Sequence, residues 1–185
     1  DAAIVFSDIL IVPYALGQKV EFVEGEGPKL EPVRNGHDLA RLDWVAAEGR
    51  FSPVYETLAR VCPELPDGVP VIGFCGAPWT VATYMVEGQG SKDQGGARLW
   101  AYRDPTSFQS LIDLLVETSI VYLIGQVKAG AGVLQIFDSW AGSLPNDEFA
   151  RWCSYPTRAI VAGVKAVYPD VPIIGFPRGC GASAE

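Results

Sequence analysis

Asp8 is the residue whose position asks most plainly for a chemical explanation. It follows an apolar run, residues 2–6 (AAIVF), with only Ser7 between. A carboxylate at the end of a buried strand adds little to packing, because a buried and unpaired charge is expensive. It can cap a helix over residues 9–16, or act as an acceptor-only anion for N–H donors converging from a ligand. Tyr84 lies in the stretch PWTVATYMVEG at residues 78–88. An aromatic there belongs by default to the core, with its hydroxyl seeking a partner. Ser139 follows another apolar run in FDSWAG, where its hydroxyl can donate to a ligand carboxylate or close a turn. Arg178 follows a further run and can meet an anion or remain surface charge. His37, the only histidine, sits in the polar stretch NGHD, so neither a Ser-His-Asp nor a Cys-His arrangement can be assembled. Glu24 and Glu26 flank Gly25, and Asp138 adjoins Ser139. Spacing alone does not turn such carboxylates toward one substrate, as a hydrolase would require.

The elements that must position these residues have a clear rhythm. Residues 2–6, 69–74 (VPVIGF), 133–137 (VLQIF) and 171–176 (VPIIGF) are continuous apolar runs, as expected of parallel strands buried on both faces. Helical patterns occupy residues 38–61 (interrupted near Gly49 and Pro53), 78–86, 95–102, 105–129 and 146–167. Residues 20–32 (VEFVEGEGPKLEP) read as a hairpin inserted after the first strand. Strand-then-helix alternation implies parallel strands and right-handed crossovers, which an open doubly wound sheet or a (β/α)8 barrel satisfies. The polar punctuation falls at strand C-termini, where barrel enzymes gather their chemistry, so a barrel is favoured, with about half of it, four strands, present. Neither G-x-G-x-x-G nor G-x-x-x-x-G-K-[ST] occurs, which removes the dinucleotide and nucleotide-phosphate readings.

Composition narrows the classes further. The 185 residues are 49% hydrophobic and 19% charged, with a formal charge of −8. That is ordinary for a folded chain and argues against nucleic acid as a partner. The cysteines Cys62, Cys75, Cys153 and Cys180 form no C-x-x-C pair, so a zinc site from this chain alone is not expected, and a reduced, cytoplasmic compartment fits. Residues 111–127 are the most apolar, but Asp113, Glu117 and Gln126 fall at helical intervals, so a buried helix is expected rather than a membrane span. The chain opens on Asp1 directly into a strand and stops just after another. This reads as a fragment of a larger domain.

Residues 1–10 (DAAIVFSDIL), 25–28 (GEGP), 72–88 (IGFCGAPWTVATYMVEG) with Gly90 and Ser91, and 135–142 (QIFDSWAG) together resemble the uroporphyrinogen decarboxylase family, in its order and approximate spacing. Pro177-Arg178-Gly179 also resembles a strand end found in some members. The resemblance implies a single distorted (β/α)8 barrel, of which residues 1–185 form a part, and a dimeric enzyme. Its activity would convert uroporphyrinogen to coproporphyrinogen without metal or organic cofactor. By resemblance Asp8 is the essential aspartate, Tyr84 its neighbouring tyrosine, and Ser139 the serine that meets a substrate carboxylate. Phe6, Phe74 and Phe137 fall where the family lines its cleft with apolar rings. The family's arginine-rich N-terminal segment and histidine-bearing C-terminal segment lie outside residues 1–185, so the chain alone is expected to be inactive. Two rivals stand beside this reading. One is a zinc-dependent methyltransferase of similar architecture, against which the absence of any His near a Cys counts. The other is a non-catalytic tetrapyrrole-binding protein.

Overall fold

The computed structural model describes residues 1–25, 27–45 and 47–181. Glu26, one of the two glutamates flanking Gly25, lies outside the described residues. The main sheet is parallel, with strands β1 (Ala3–Ile4), β4 (Val71–Gly76), β5 (Val133–Asp138) and β6 (Ile173–Pro177) in that spatial order. Between β1 and β4, strands β2 (Val20–Val23) and β3 (Gly27–Leu30) form the expected antiparallel hairpin. The chain is therefore an α/β unit built on a four-stranded parallel sheet.

Nine α-helical segments are described. The first four are α1 (Ile11–Ala15), α2 (Gly36–Leu39), α3 (Ala47–Arg50) and α4 (Ser52–Val61). Helices α5 (Pro78–Glu87), α6 (Gly95–Arg103) and α7 (Pro105–Lys128) lie between β4 and β5, and α8 (Asn146–Phe149) and α9 (Tyr155–Val167) between β5 and β6. Proline opens α5 and α7 at a position where the missing N–H costs nothing. Gly88 closes α5 in the left-handed region at φ 77°, which only glycine adopts without strain.

Helix α7 is long and apolar enough to cross a membrane. It instead buries Phe108, Leu111, Ile112, Leu115, Tyr122 and Leu123 within the domain, packed against α5, α6, α9 and β4. Apolar burial of this kind, at roughly 25 cal/mol per Å2, is the main force holding the helices to the sheet.

Three expected elements are corrected. The first strand, expected over residues 2–6, pairs only over Ala3–Ile4. Beyond Ile4 the backbone of Phe74, which faces β1, is met by a side chain instead: Phe74 N–H donates to Gln126 Oε1 and Gln126 Nε2 donates to Phe74 O, both at 3.0 Å. Gly73 leaves room for that amide, since a Cβ there would stand 2.8 Å from Gln126 Oε1. The helix expected over residues 146–167 is interrupted by a π-helical turn at Ala150–Ser154. Pro156 has no N–H to give the carbonyl one turn back, and the wider turn takes up the fault. The helical stretch expected over residues 38–61 breaks at Phe51, between Gly49 and Pro53 as expected, but a further interruption after Leu39 leaves three short segments.

Candidate active site at the strand ends

Asp8 sits at the C-terminal end of β1 in a turn of its own making. Its Oδ1 accepts from Leu10 N–H at 2.8 Å and its backbone carbonyl from Ile11 N–H at 3.0 Å. This is an Asx turn leading into α1, whose N-cap position is held by Leu10 without a side-chain bond. Capping and ligand binding are thus not exclusive, because Oδ2 takes no part in the turn. Ser7 anchors the same segment, its Oγ lying 3.0 Å from the hydroxyl of buried Tyr122. Burial pushes the Tyr122 hydroxyl up to about 12, so it stays protonated. Asp8 borders a cavity of about 260 Å3 with Leu10, Ile11, Tyr14, Val20 and Phe22. The hairpin thus supplies one wall, and neither Tyr84 nor Ser139 lines this cavity.

Tyr84 is half-buried on α5, its ring passing near Gly90. The hairpin is pinned to this helix: Leu30 N–H donates to Gly88 O, Val33 N–H to Met85 O, and Gln18 Nε2 to Met85 O. The hairpin thus borders the Asp8 cavity on one side and is bonded to the helix that bears Tyr84 on the other. Closer to the sheet, Ile9 and Val81 both crowd the place where Gly76 would carry a Cβ, at 3.0 and 2.6 Å. The Asp8 turn thus rests on the first part of α5.

Ser139 begins the turn after β5 and is partly exposed. Its neighbours are heavily fastened. Asp138 is 4% exposed, and its Oδ1 accepts from Thr80 Oγ1 at 2.6 Å. Thr80 Oγ1 in turn accepts from Trp140 N–H at 3.1 Å. Burial pushes the Asp138 carboxyl above the usual carboxylate range, against the pull of the Thr80 hydroxyl and the Cys153 thiol. Arg178, exposed after β6, joins its backbone to this turn, donating to Asp138 O and accepting from Gly142 N–H, both at 3.0 Å. Thr80, Asp138, Ser7 and Tyr122 gave no signal in the sequence as positioning groups, since each looks like ordinary core or turn chemistry. His37 is exposed.

The rings expected to line a cleft do meet. Phe6 stacks on Phe74 with centroids 5.7 Å apart, Phe74 meets Phe137 edge-on at 5.6 Å, and Phe137 meets Phe176 at 5.9 Å. Register places Phe137 opposite Phe176 and Gly76 opposite Phe137. The row thus runs across the C-terminal ends of all four strands, with Phe176 as a fourth ring that the apolar run alone does not single out. Phe6 is 79% exposed and Phe176 47% exposed, so both ends of the row face open space. Among the described residues, no three His, Cys, Asp or Glu side chains converge as a metal site would need.

Comparison with known proteins supplies the rest. The solved structure of a methyltransferase from Methanosarcina mazei superposes with a TM-score of 0.69 at 17% identity, over 94% of this chain and 50% of that one, a likeness of fold. Uroporphyrinogen decarboxylase of Mesorhizobium japonicum is 54% identical over 182 residues, 98% of this chain and 53% of its own length. That of Novosphingobium aromaticivorans is 54% identical over 181 residues, 98% of this chain and 52% of its own. The chain spans about half the length of the curated relatives it matches. The sequence profile of uroporphyrinogen decarboxylase (URO-D) matches residues 1–184. The chain with Asp8 after β1 and Ser139 after β5 therefore belongs to the uroporphyrinogen decarboxylase family.

Proposed function

We propose that the protein to which these residues contribute decarboxylates the acetate side chains of uroporphyrinogen III, giving coproporphyrinogen III, without metal or organic cofactor. The observation that carries this reading is the row of phenylalanines ending two residues before Asp8. A polyanionic macrocycle with an apolar ring system needs a broad apolar support beside a group that answers its pyrrole N–H bonds.

The chemistry makes Asp8 the centre. A proton added to a pyrrole ring carbon makes the ring cationic. The bond from the acetate methylene to its carboxylate then breaks, its electron pair flows into the ring, and carbon dioxide leaves. Protonation of the resulting exocyclic methylene gives the methyl group, and the ring carbon releases its extra proton. A fixed carboxylate near the pyrrole N–H groups stabilises the cation, the more so when aromatic walls exclude water. Asp8 supplies the charge, with one oxygen held in its turn and the other left for substrate. Tyr84 helps to aim the charge through its hydroxyl, and Ser139 donates to a substrate carboxylate.

In this reading the four strands are half of a (β/α)8 barrel, with residues 1–185 as one part of a single cytoplasmic domain that works as a homodimer. The superposition on the Methanosarcina mazei methyltransferase supports a common architecture. Asp8→Asn in a full-length family enzyme carrying this segment tests the proposal. Asparagine keeps the acceptor for Leu10 N–H and removes only the charge, so folding should survive. The expected loss is about 3 kcal/mol of transition-state stabilisation, roughly a hundredfold or more in kcat. Near-normal turnover would remove Asp8 from the mechanism, and stoichiometric zinc in the same enzyme would favour methyl transfer.

A further inference from the structure

Thr80 lies in the first turn of α5 and is fully buried. Asp138 is a nearly buried acid beside the Thr80 hydroxyl and the Cys153 thiol, and its Oδ2 has no hydrogen-bond partner among the described residues. Such a group weakens the fold unless it secures something in return. What it touches is the turn that carries Ser139. The single proton of Thr80 goes to Asp138 Oδ1, and a lone pair of the same oxygen takes Trp140 N–H. Trp140 O is held by Trp79 Nε1 at 3.3 Å and by Ser143 Oγ at 2.7 Å. Both peptide neighbours of Ser139 are thereby tied to one end of α5, one helical turn before Tyr84. The Ser139 hydroxyl itself has no partner among the described residues.

We propose that Thr80 and Asp138 are positioning residues that lock the Ser139 turn onto the helix bearing Tyr84, setting where the serine hydroxyl meets a substrate carboxylate. This rests on the reading of Ser139 as a substrate-binding residue. A hydroxyl that must find one oxygen of a flexible carboxylate gains affinity when its backbone is fixed beforehand. The relay needs a hydroxyl at position 80 and an acceptor at position 138. Charge at position 138 is not required.

The test is steady-state turnover of uroporphyrinogen by a full-length family enzyme carrying this segment. Ser139→Ala is expected to raise KM about tenfold, the scale of one lost bond to a charged group. Thr80→Val, close in shape, should raise KM severalfold with kcat held within about twofold, and Thr80→Ser should restore it. In the Ser139→Ala background Thr80→Val should add nothing further to KM. Asp138→Asn, which still accepts the Thr80 proton, should keep KM low, whereas Asp138→Leu should raise it. Thr80→Ala takes the place of Thr80→Val if the latter does not fold. Equal KM increases from Thr80→Val with and without the Ser139 hydroxyl would overturn the inference. So would an unchanged KM in Thr80→Val alongside a raised one in Ser139→Ala. No effect of Ser139→Ala would sink the Ser139 reading itself, and this inference with it.

Discussion

Tyr122 and Gln126 stand one turn apart on α7, and each holds a different side of the place where β1 parts from β4. Tyr122 meets Ser7 Oγ at 3.0 Å, and Gln126 occupies both polar groups of the Phe74 backbone. One face of one helix thus supports the first strand end, the aromatic row and the Asp8 turn together. Gln126→Leu strands a buried N–H and a buried C=O, so a loss of about 2–5 kcal/mol is expected. Urea unfolding followed by circular dichroism measures it, and a midpoint equal to wild type would contradict the bridging role. Tyr122→Phe removes only the bond to Ser7 and should cost about 1 kcal/mol.

Gly142 cannot carry a side chain. A Cβ there would stand 2.4 Å from Gly179 O, in the backbone of the loop after β6. Gly142→Ala should separate the loops after β5 and β6 at the cost of about 1–3 kcal/mol. The same unfolding experiment checks this, and an unchanged midpoint would mean that the loops are not packed as described.

Stability should carry a pH signature from Asp138. Its carboxyl is raised in the folded state by burial, so the folded chain holds the proton more tightly than the unfolded one. The associated stabilisation is full below the ordinary aspartate value and disappears as pH rises through the raised one. Relative to Asp138→Asn, the wild type should therefore lose stability on going up from about pH 4 and then level off. Parallel stability curves for the two proteins would contradict the assignment.

The cysteines should divide by burial. Cys75 is enclosed and its thiol is pushed up to about 12, while burial also raises buried Cys153. Neither should react with an aromatic disulfide reagent until the chain unfolds, because the thiolate is the reactive form. Cys62 and Cys180 are partly exposed and should react first. Rapid labelling of all four would mean that the core opens readily.

The open face of the sheet should be sticky. Ile4, Phe6, Ile174 and Phe176 are all exposed, and contiguous apolar surface of this kind binds partners or dyes. The 185-residue chain should bind an anilinonaphthalene dye and self-associate, and Phe6→Asp with Ile174→Glu should reduce both. A monodisperse, dye-silent chain would contradict this.

Much of the fold was legible because buried parallel strands leave uninterrupted apolar runs, as VIGF and VLQIF do, and because Pro78, Pro105 and Gly88 mark helix ends by their backbone limits. The hairpin was equally clear from Gly25 and Gly27. The length of β1 was not, since its end is decided by Gln126, distant in sequence. The interruption before Pro156 follows from proline's missing N–H, but the strong helical pattern around it masks that signal. In the candidate site, the residue types at strand ends pointed to Asp8 and Ser139. The supporting contacts of Tyr122 and Thr80 depend on tertiary placement that no local pattern records.

The spatial order β1-β4-β5-β6 repeats the order of synthesis in the main sheet. Each strand leaving the ribosome finds its neighbour already made, and no strand must wait for a later one to be inserted beside it. Assembly can then proceed by accretion at one margin, although each pairing must close a connection of tens of residues. Among the described strands β1 and β6 each keep one unpaired margin, and a further strand could join at either.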